Sequence, residues 1–161
     1  MKKNIRKIGI LMITFSLMAC TKEVDVLEPT LEGIYKYKRA GVSIPVAVGN
    51  SNFYGDLTLI PGKECLWDNN WEFAEGKAIL REGQTFCGDK YQELSKNDVI
   101  GNYEYIYDKD NQTIKLLYEG KVTEIWKDVK LGYSYDNKLT LSFNLWDEDL
   151  KQVVAYYMEA E

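Results

Sequence analysis

Histidine does not occur anywhere in the 161 residues. Its absence removes the usual general base near neutral pH, the commonest zinc ligand and every Ser-His or Cys-His dyad. No phosphate loop, nucleophile elbow or metal-ligand spacing is present either. The chain has no apolar run long enough to cross a bilayer, which takes about 20 residues. The longest one, Ile8 to Ala19, is twelve residues and follows Lys2, Lys3, Arg6 and Lys7. A basic n-region before a short h-region is the layout of a secretory signal. Removing residues 1–19 takes four of the 20 basic residues and leaves 142 residues with 16 Lys+Arg against 25 Asp+Glu, a formal charge of −9. Such a balance excludes nucleic acid, whose binding rests on clustered cations that neutralise phosphate. It also excludes a protein face laid on anionic lipid.

What is present begins with Leu17-Met18-Ala19-Cys20. This stretch resembles the lipobox of bacterial lipoproteins, and the resemblance implies that Cys20 is acylated and becomes the new N-terminus. Two or more acyl chains anchor stably, at about 0.8 kcal/mol per buried methylene. The resemblance therefore implies an outer-membrane envelope protein held by lipid, with the periplasmic and surface faces both open. Lys22-Glu23 with Asp25 weakly resembles the acidic export signal of surface lipoproteins in Bacteroidetes-type bacteria. Residues 20–31, acidic and interrupted by Pro29, read as a lipidated tether, and residues 32–161 as one domain. With Cys20 lipidated, Cys65 and Cys87 remain. In an oxidising compartment a disulfide is expected between them. It would close a loop of about 23 residues and stabilise by roughly 3 kcal/mol in the chain-entropy model.

From Gly33 onward the pattern predicts strand after strand. Twelve Tyr, four Trp and five Phe, with scattered Val, Ile and Thr, suit a pleated half-buried surface. Gly33 to Arg39 is the first strand, 40–55 reads as loop with Val46-Ala47-Val48 as a short edge strand, and Asp56–Ile60 and Glu64–Asp68 form a hairpin about Pro61-Gly62. Trp71–Phe73 and Lys77–Arg81 pair about Gly76, and residues 89–96 form at most one short helix. Then come Val99–Tyr107, Ile114–Tyr118, Lys121–Val129, a strand in which Leu139, Leu141, Phe143 and Leu145 alternate with Thr140, Ser142, Asn144 and Trp146, and Gln152–Met158. Short turns between sequential strands make neighbours antiparallel. The expected fold is all-β, an antiparallel up-and-down meander of about 8–10 strands closing into a barrel.

Leu31-Glu32-Gly33-Ile34-Tyr35, and Gly101-Asn102-Tyr103 with the hairpins that follow it, resemble small lipocalin-like lipoproteins of Bacteroidetes-type bacteria. Tyr35 stands where lipocalins carry Trp. The resemblance implies a lipocalin-like barrel that binds a small apolar molecule in a central cavity. The Trp67–Phe73 stretch, with its amides and acids, could present a sugar face, but its rings more commonly fill the core at a strand-turn-strand corner. Inward parity selects Tyr35, Tyr37, Trp67, Trp71, Tyr103, Tyr105 and Phe143 as stacking contacts for such a ligand. The alternative is an envelope interaction module, or an inhibitor of host enzymes, acting through its rim loops. Asp68 with Glu72 is one of many chance carboxylate pairs, Asp108–Gln112 lacks the glycine and distal Glu of a calcium loop, and Asp147-Glu148-Asp149 reads as a solvated turn. No enzymatic activity, metal or cofactor is expected.

Overall fold

In the computed structural model the described residues are 28–85 and 96–161. Nine strands succeed one another: β1 (Gly33–Val48), β2 (Asn52–Asp56), β3 (Asn70–Ala74), β4 (Lys77–Arg81), β5 (Val99–Asp108), β6 (Thr113–Tyr118), β7 (Lys121–Tyr133), β8 (Leu139–Asp147) and β9 (Gln152–Ala160). All neighbours are antiparallel, in the order β2-β1-β3-β4-β5-β6-β7-β8-β9, and β9 returns to pair with β1. The protein is thus a closed eight-stranded antiparallel barrel with β2 as one extra strand. Closure leaves no free edge along the shared length. Two hairpins turn through consecutive positive-φ residues, Glu75-Gly76 and Glu119-Gly120, as a two-residue type I′ turn demands.

The base of the barrel is where β1 begins and β9 ends; the opposite end is the rim. Alternation fills the interior. Tyr35, Trp71, Phe73, Ile114, Leu116, Trp126, Leu141, Phe143 and Met158 are all buried, while their sequence neighbours on the same strands are more exposed. The rings touch in series: Trp126 stacks on Phe143 with centroids 3.9 Å apart, Phe143 on Tyr156 at 4.9 Å, and Trp71 meets Trp126 edge-on at 5.2 Å. Each large apolar side chain so buried stabilises by about 1.5–3 kcal/mol. This filled column is the core of the protein.

Two expectations need correction. Residues 40–45 and 52–55 are not loop: β1 runs through 40–45 into the expected strand at Val46–Val48 and forms a hairpin with β2 above the rim. Pro45 is tolerated because it lies between registered pairs, after Val42↔Val154 on the β9 side and before Val46↔Tyr54 on the β2 side. There the buried Gln152 extends β9 by its side chain, accepting from Ile44 N and donating to Ile44 O, both at 3.0 Å. The expected Asp56–Ile60 and Glu64–Asp68 hairpin is instead two single turns of 3-10 helix, Leu57–Leu59 and Glu64–Leu66. Asp56 dictates the first: its Oδ1 caps Thr58 N at 3.1 Å, bonds Thr58 Oγ1 at 2.8 Å and holds Ala40 N at 3.2 Å. Leu57 is thereby turned inward onto Ala40 and Val154, a small second core under the rim. The helix expected over 89–96 lies outside the described residues, except for Lys96 in a turn.

Candidate functional site

The residues expected to contact a ligand separate into two groups. Tyr35, Trp71 and Phe143 are buried parts of the column, and Tyr105 packs edge-on against Phe73 at 5.4 Å. Tyr35 reaches the base, where its hydroxyl donates to Thr30 O at 3.3 Å. The rings of Tyr37, Trp67 and Tyr103 stand nearer the rim. Trp67, on the turn after Leu66, meets Tyr37 edge-on at 5.8 Å, and Trp71 Nε1 donates to the Tyr37 hydroxyl at 2.7 Å. The Trp67 indole nitrogen is buried and has no hydrogen-bond partner among the described residues. Tyr103 folds back over Gly101, where an added Cβ would come within 2.7 Å of its ring. These side chains pack on one another, so the interior where they meet is a core before it is a cavity.

Burial sets the chemistry of the rim phenols. It pushes Tyr37 well above the usual tyrosine range, opposed by the Trp71 hydrogen bond and reinforced by Tyr156 and Glu124. Burial, then the Asp147 and Glu124 carboxylates, push Tyr156 up to about 12. Tyr103 is raised by burial first and by Glu124 next. All three stay neutral at physiological pH, and the Glu124 charge is felt by each.

Glu124 also lines a groove in the wall of the barrel. Toward the rim, β7 and β8 last register at Lys127↔Asn144. Beyond it, residues 121–126 and 145–147 have no partners in one another, although β7 still pairs with β6 and β8 with β9. A bulge starts the separation: Asp128 takes φ +52, a conformation Asp tolerates, and its carboxylate accepts from Asn144 Nδ2 at 2.8 Å. The parted strands leave a concave space of about 620 Å³ whose lining includes Glu124, Ile125, Lys127, Asp128, Leu145, Trp146 and Val153. Trp146 is 50% exposed, Val153 46% and Ile125 42%. Glu124 Oε2 accepts from the buried Trp126 Nε1 at 2.8 Å, which holds the carboxylate at the inner side of the groove.

Sequence reasoning did not select these groove residues, although two signals were there. Trp146 is the large apolar side chain on the otherwise polar parity of β8, and Glu124 shares parity with the inward Trp126. The other acids have structural work. Glu72 binds Arg81 Nε at 2.8 Å, while Asp68 Oδ2 accepts from Gln84 N and Thr85 N at 2.9 and 2.8 Å. Asp108 closes its turn on Asn111 N at 3.0 Å, and Asp147 Oδ1 caps Asp149 N and Leu150 N at 2.9 and 2.8 Å. Among the described residues no three of Cys, Asp and Glu gather as a metal site. Cys65 is buried in the second 3-10 turn; Cys87 and Cys20 lie outside the described residues.

Compared with known proteins, the chain matches no family model, no curated protein and no solved structure closely enough to count as a likeness.

Proposed function

We propose that this chain is a lipid-anchored envelope lipoprotein of the outer membrane, tethered through Cys20, whose lipocalin-like barrel binds a small ligand. The binding place is the wall groove between β7 and β8. The central column is filled, so a carrier of this design holds its ligand at the side. The observation that carries the reading is a concave space of about 620 Å³ with half-exposed Trp146 and Val153 on its wall. Small-molecule sites run to several hundred Å³ and pair apolar walls with a few polar groups. A Cys65–Cys87 bridge belongs to the same reading, because export to an oxidising compartment favours it.

Native mass spectrometry of protein purified from its own envelope tests the binding. A co-purifying small molecule is expected, with retention reduced in Trp146→Ala; full retention in that variant puts the site elsewhere. Anchoring is tested by Cys20→Ala, which should release the protein from membranes and abolish fatty-acid labelling. A second reading, an interaction module, draws on the rim: Ile44, Phe53 and Leu59 are each about two-thirds exposed on the β1–β2 hairpin and the turn beside it. Apolar side chains so placed suit a partner protein of the envelope or host. A barrel that captures such a partner through Phe53, with nothing in the groove, would favour it.

A further inference from the structure

The composition of the wall groove carries a statement about ligand chemistry, which rests on the small-ligand reading above. Two carboxylates line it, Glu124 and Asp128, against one cation, Lys127. Neither carboxylate is in an ion pair among the described residues. Glu124 uses Oε2 for the Trp126 indole and Asp128 uses Oδ2 for Asn144. One oxygen of each is left to face solvent or a ligand. Trp146 supplies a half-exposed indole on the same wall, and Leu145, Val153 and Ile125 supply aliphatic surface. An indole face attracts cations through its quadrupole, and a carboxylate adjoining it adds a charge-assisted hydrogen bond.

We infer that the groove between β7 and β8 is a site for a small organic cation of amine type, with its ammonium at Glu124 and its apolar body along Trp146 and Val153. The geometry discriminates against anions, which would meet two carboxylates, and against wholly apolar molecules, which would leave those carboxylates uncompensated. The Trp126 indole fixes Glu124 in place, so little side-chain freedom is lost on binding. Glu124 and Asp128 thus set specificity, while Trp146 supplies contact area.

The test uses 2-phenylethylamine and its uncharged counterpart 2-phenylethanol, titrated into the mature protein at pH 7 while the Trp146 indole resonance is followed by NMR. The amine is expected to bind at least about tenfold more tightly than the alcohol, a difference of about 1.4 kcal/mol. Glu124→Gln keeps an acceptor for Trp126 Nε1 and should reduce amine binding about tenfold while leaving the alcohol unchanged. Trp146→Ala, read at the Trp126 indole resonance because its own is gone, should weaken both. Equal binding of amine and alcohol, or amine binding indifferent to Glu124→Gln, overturns the cation assignment and leaves a groove that still binds small molecules. No shift at Trp146 with either probe, in protein whose melting curve is normal, overturns both the assignment and the groove as a ligand site.

Discussion

The two seams that flank β8 are built from the same strand and behave oppositely. Against β9, β8 registers at eight consecutive positions from Thr140↔Glu159 to Asp147↔Gln152 without a shift. Against β7 it registers at five, is broken by the bulge at Asp128, and stops at Lys127↔Asn144. The inward parity of β8 serves both seams alike: Leu141 and Phe143 are buried. The outward parity differs at its rim end, where Trp146 faces the parted strands and is half exposed. A barrel can therefore keep one continuous core and still open a groove in its wall. It need only stop the ladder on one side of a strand while the column behind it stays packed.

Phe143 is where the comparison is easiest to break, because its ring stacks on Trp126 of β7 and on Tyr156 of β9. Phe143→Ala should cost about 3–5 kcal/mol, read as a fall in the urea midpoint with an unchanged slope. A loss below about 1 kcal/mol would mean that the column relaxes into the space and is not the common support of both seams.

The rim phenols give the next largest effect. Tyr156 has its folded-state pKa raised from 10.0 to about 12, and Tyr37 is raised as well. Their contribution is fully present below pH 10 and is lost as the pH rises from there through the folded values, because the unfolded chain ionises first. Stability should fall by about 2 kcal/mol per such phenol across pH 10–12. Tyrosinate absorbance near 295 nm should therefore rise together with loss of near-ultraviolet circular dichroism. Ionisation of all twelve tyrosines before unfolding would show that the rim phenols are accessible.

Gln152 sharpens the picture of the well-paired side. Its amide carries the β9 ladder past the last registered pair onto Ile44, and the residue is only 8% exposed. Gln152→Ala should cost about 1–3 kcal/mol by leaving two backbone groups of Ile44 without those partners. Gln152→Glu should not restore it, since a carboxylate accepts from Ile44 N but cannot donate to Ile44 O. Equal stability of wild type and both variants, by thermal unfolding, would reduce the amide to a surface contact.

The smallest expected effect on stability is at the open seam. Trp146→Ala removes a half-exposed ring and should change stability by no more than about 0.5 kcal/mol, while taking the indole from the groove's apolar wall. A large destabilisation would show that Trp146 belongs to the core and that the groove is not a separate surface.

Much of the barrel was legible because the period-2 signal is strong wherever one face is buried. From Val99 onward, five strands lie where alternation and turns place them, and Leu141 with Phe143 point inward as their parity requires. The first half was less legible. Asp56-Leu57-Thr58-Leu59 alternates like a strand, yet a single Asp side chain bonding Thr58 and Ala40 turns it into a 3-10 cap. Pro45, with the Gly, Ser and Asn residues of 40–55, reads as a loop, yet Gln152, more than a hundred residues away, completes a strand there. In both cases a side chain competes with the backbone ladder, and local pattern does not reveal which partner wins.

For the site, parity chose the right faces without telling a cavity from a core. The inward aromatic set of Tyr35, Trp71 and Phe143 is present and buried, but whether such rings enclose a space or fill it depends on their summed volume around a closed ring of strands. Alternation is a property of one strand at a time, so the chain by itself determined the class of fold, the antiparallel order and the inward residues of its later strands. The filled column, the bulge at Asp128 and the parting of β7 from β8 that leaves Glu124, Asp128 and Trp146 around one groove were decided only by the tertiary structure. They depend on how far two strands of different length can stay in register around a barrel, and that is settled when the sheet closes, not along either strand.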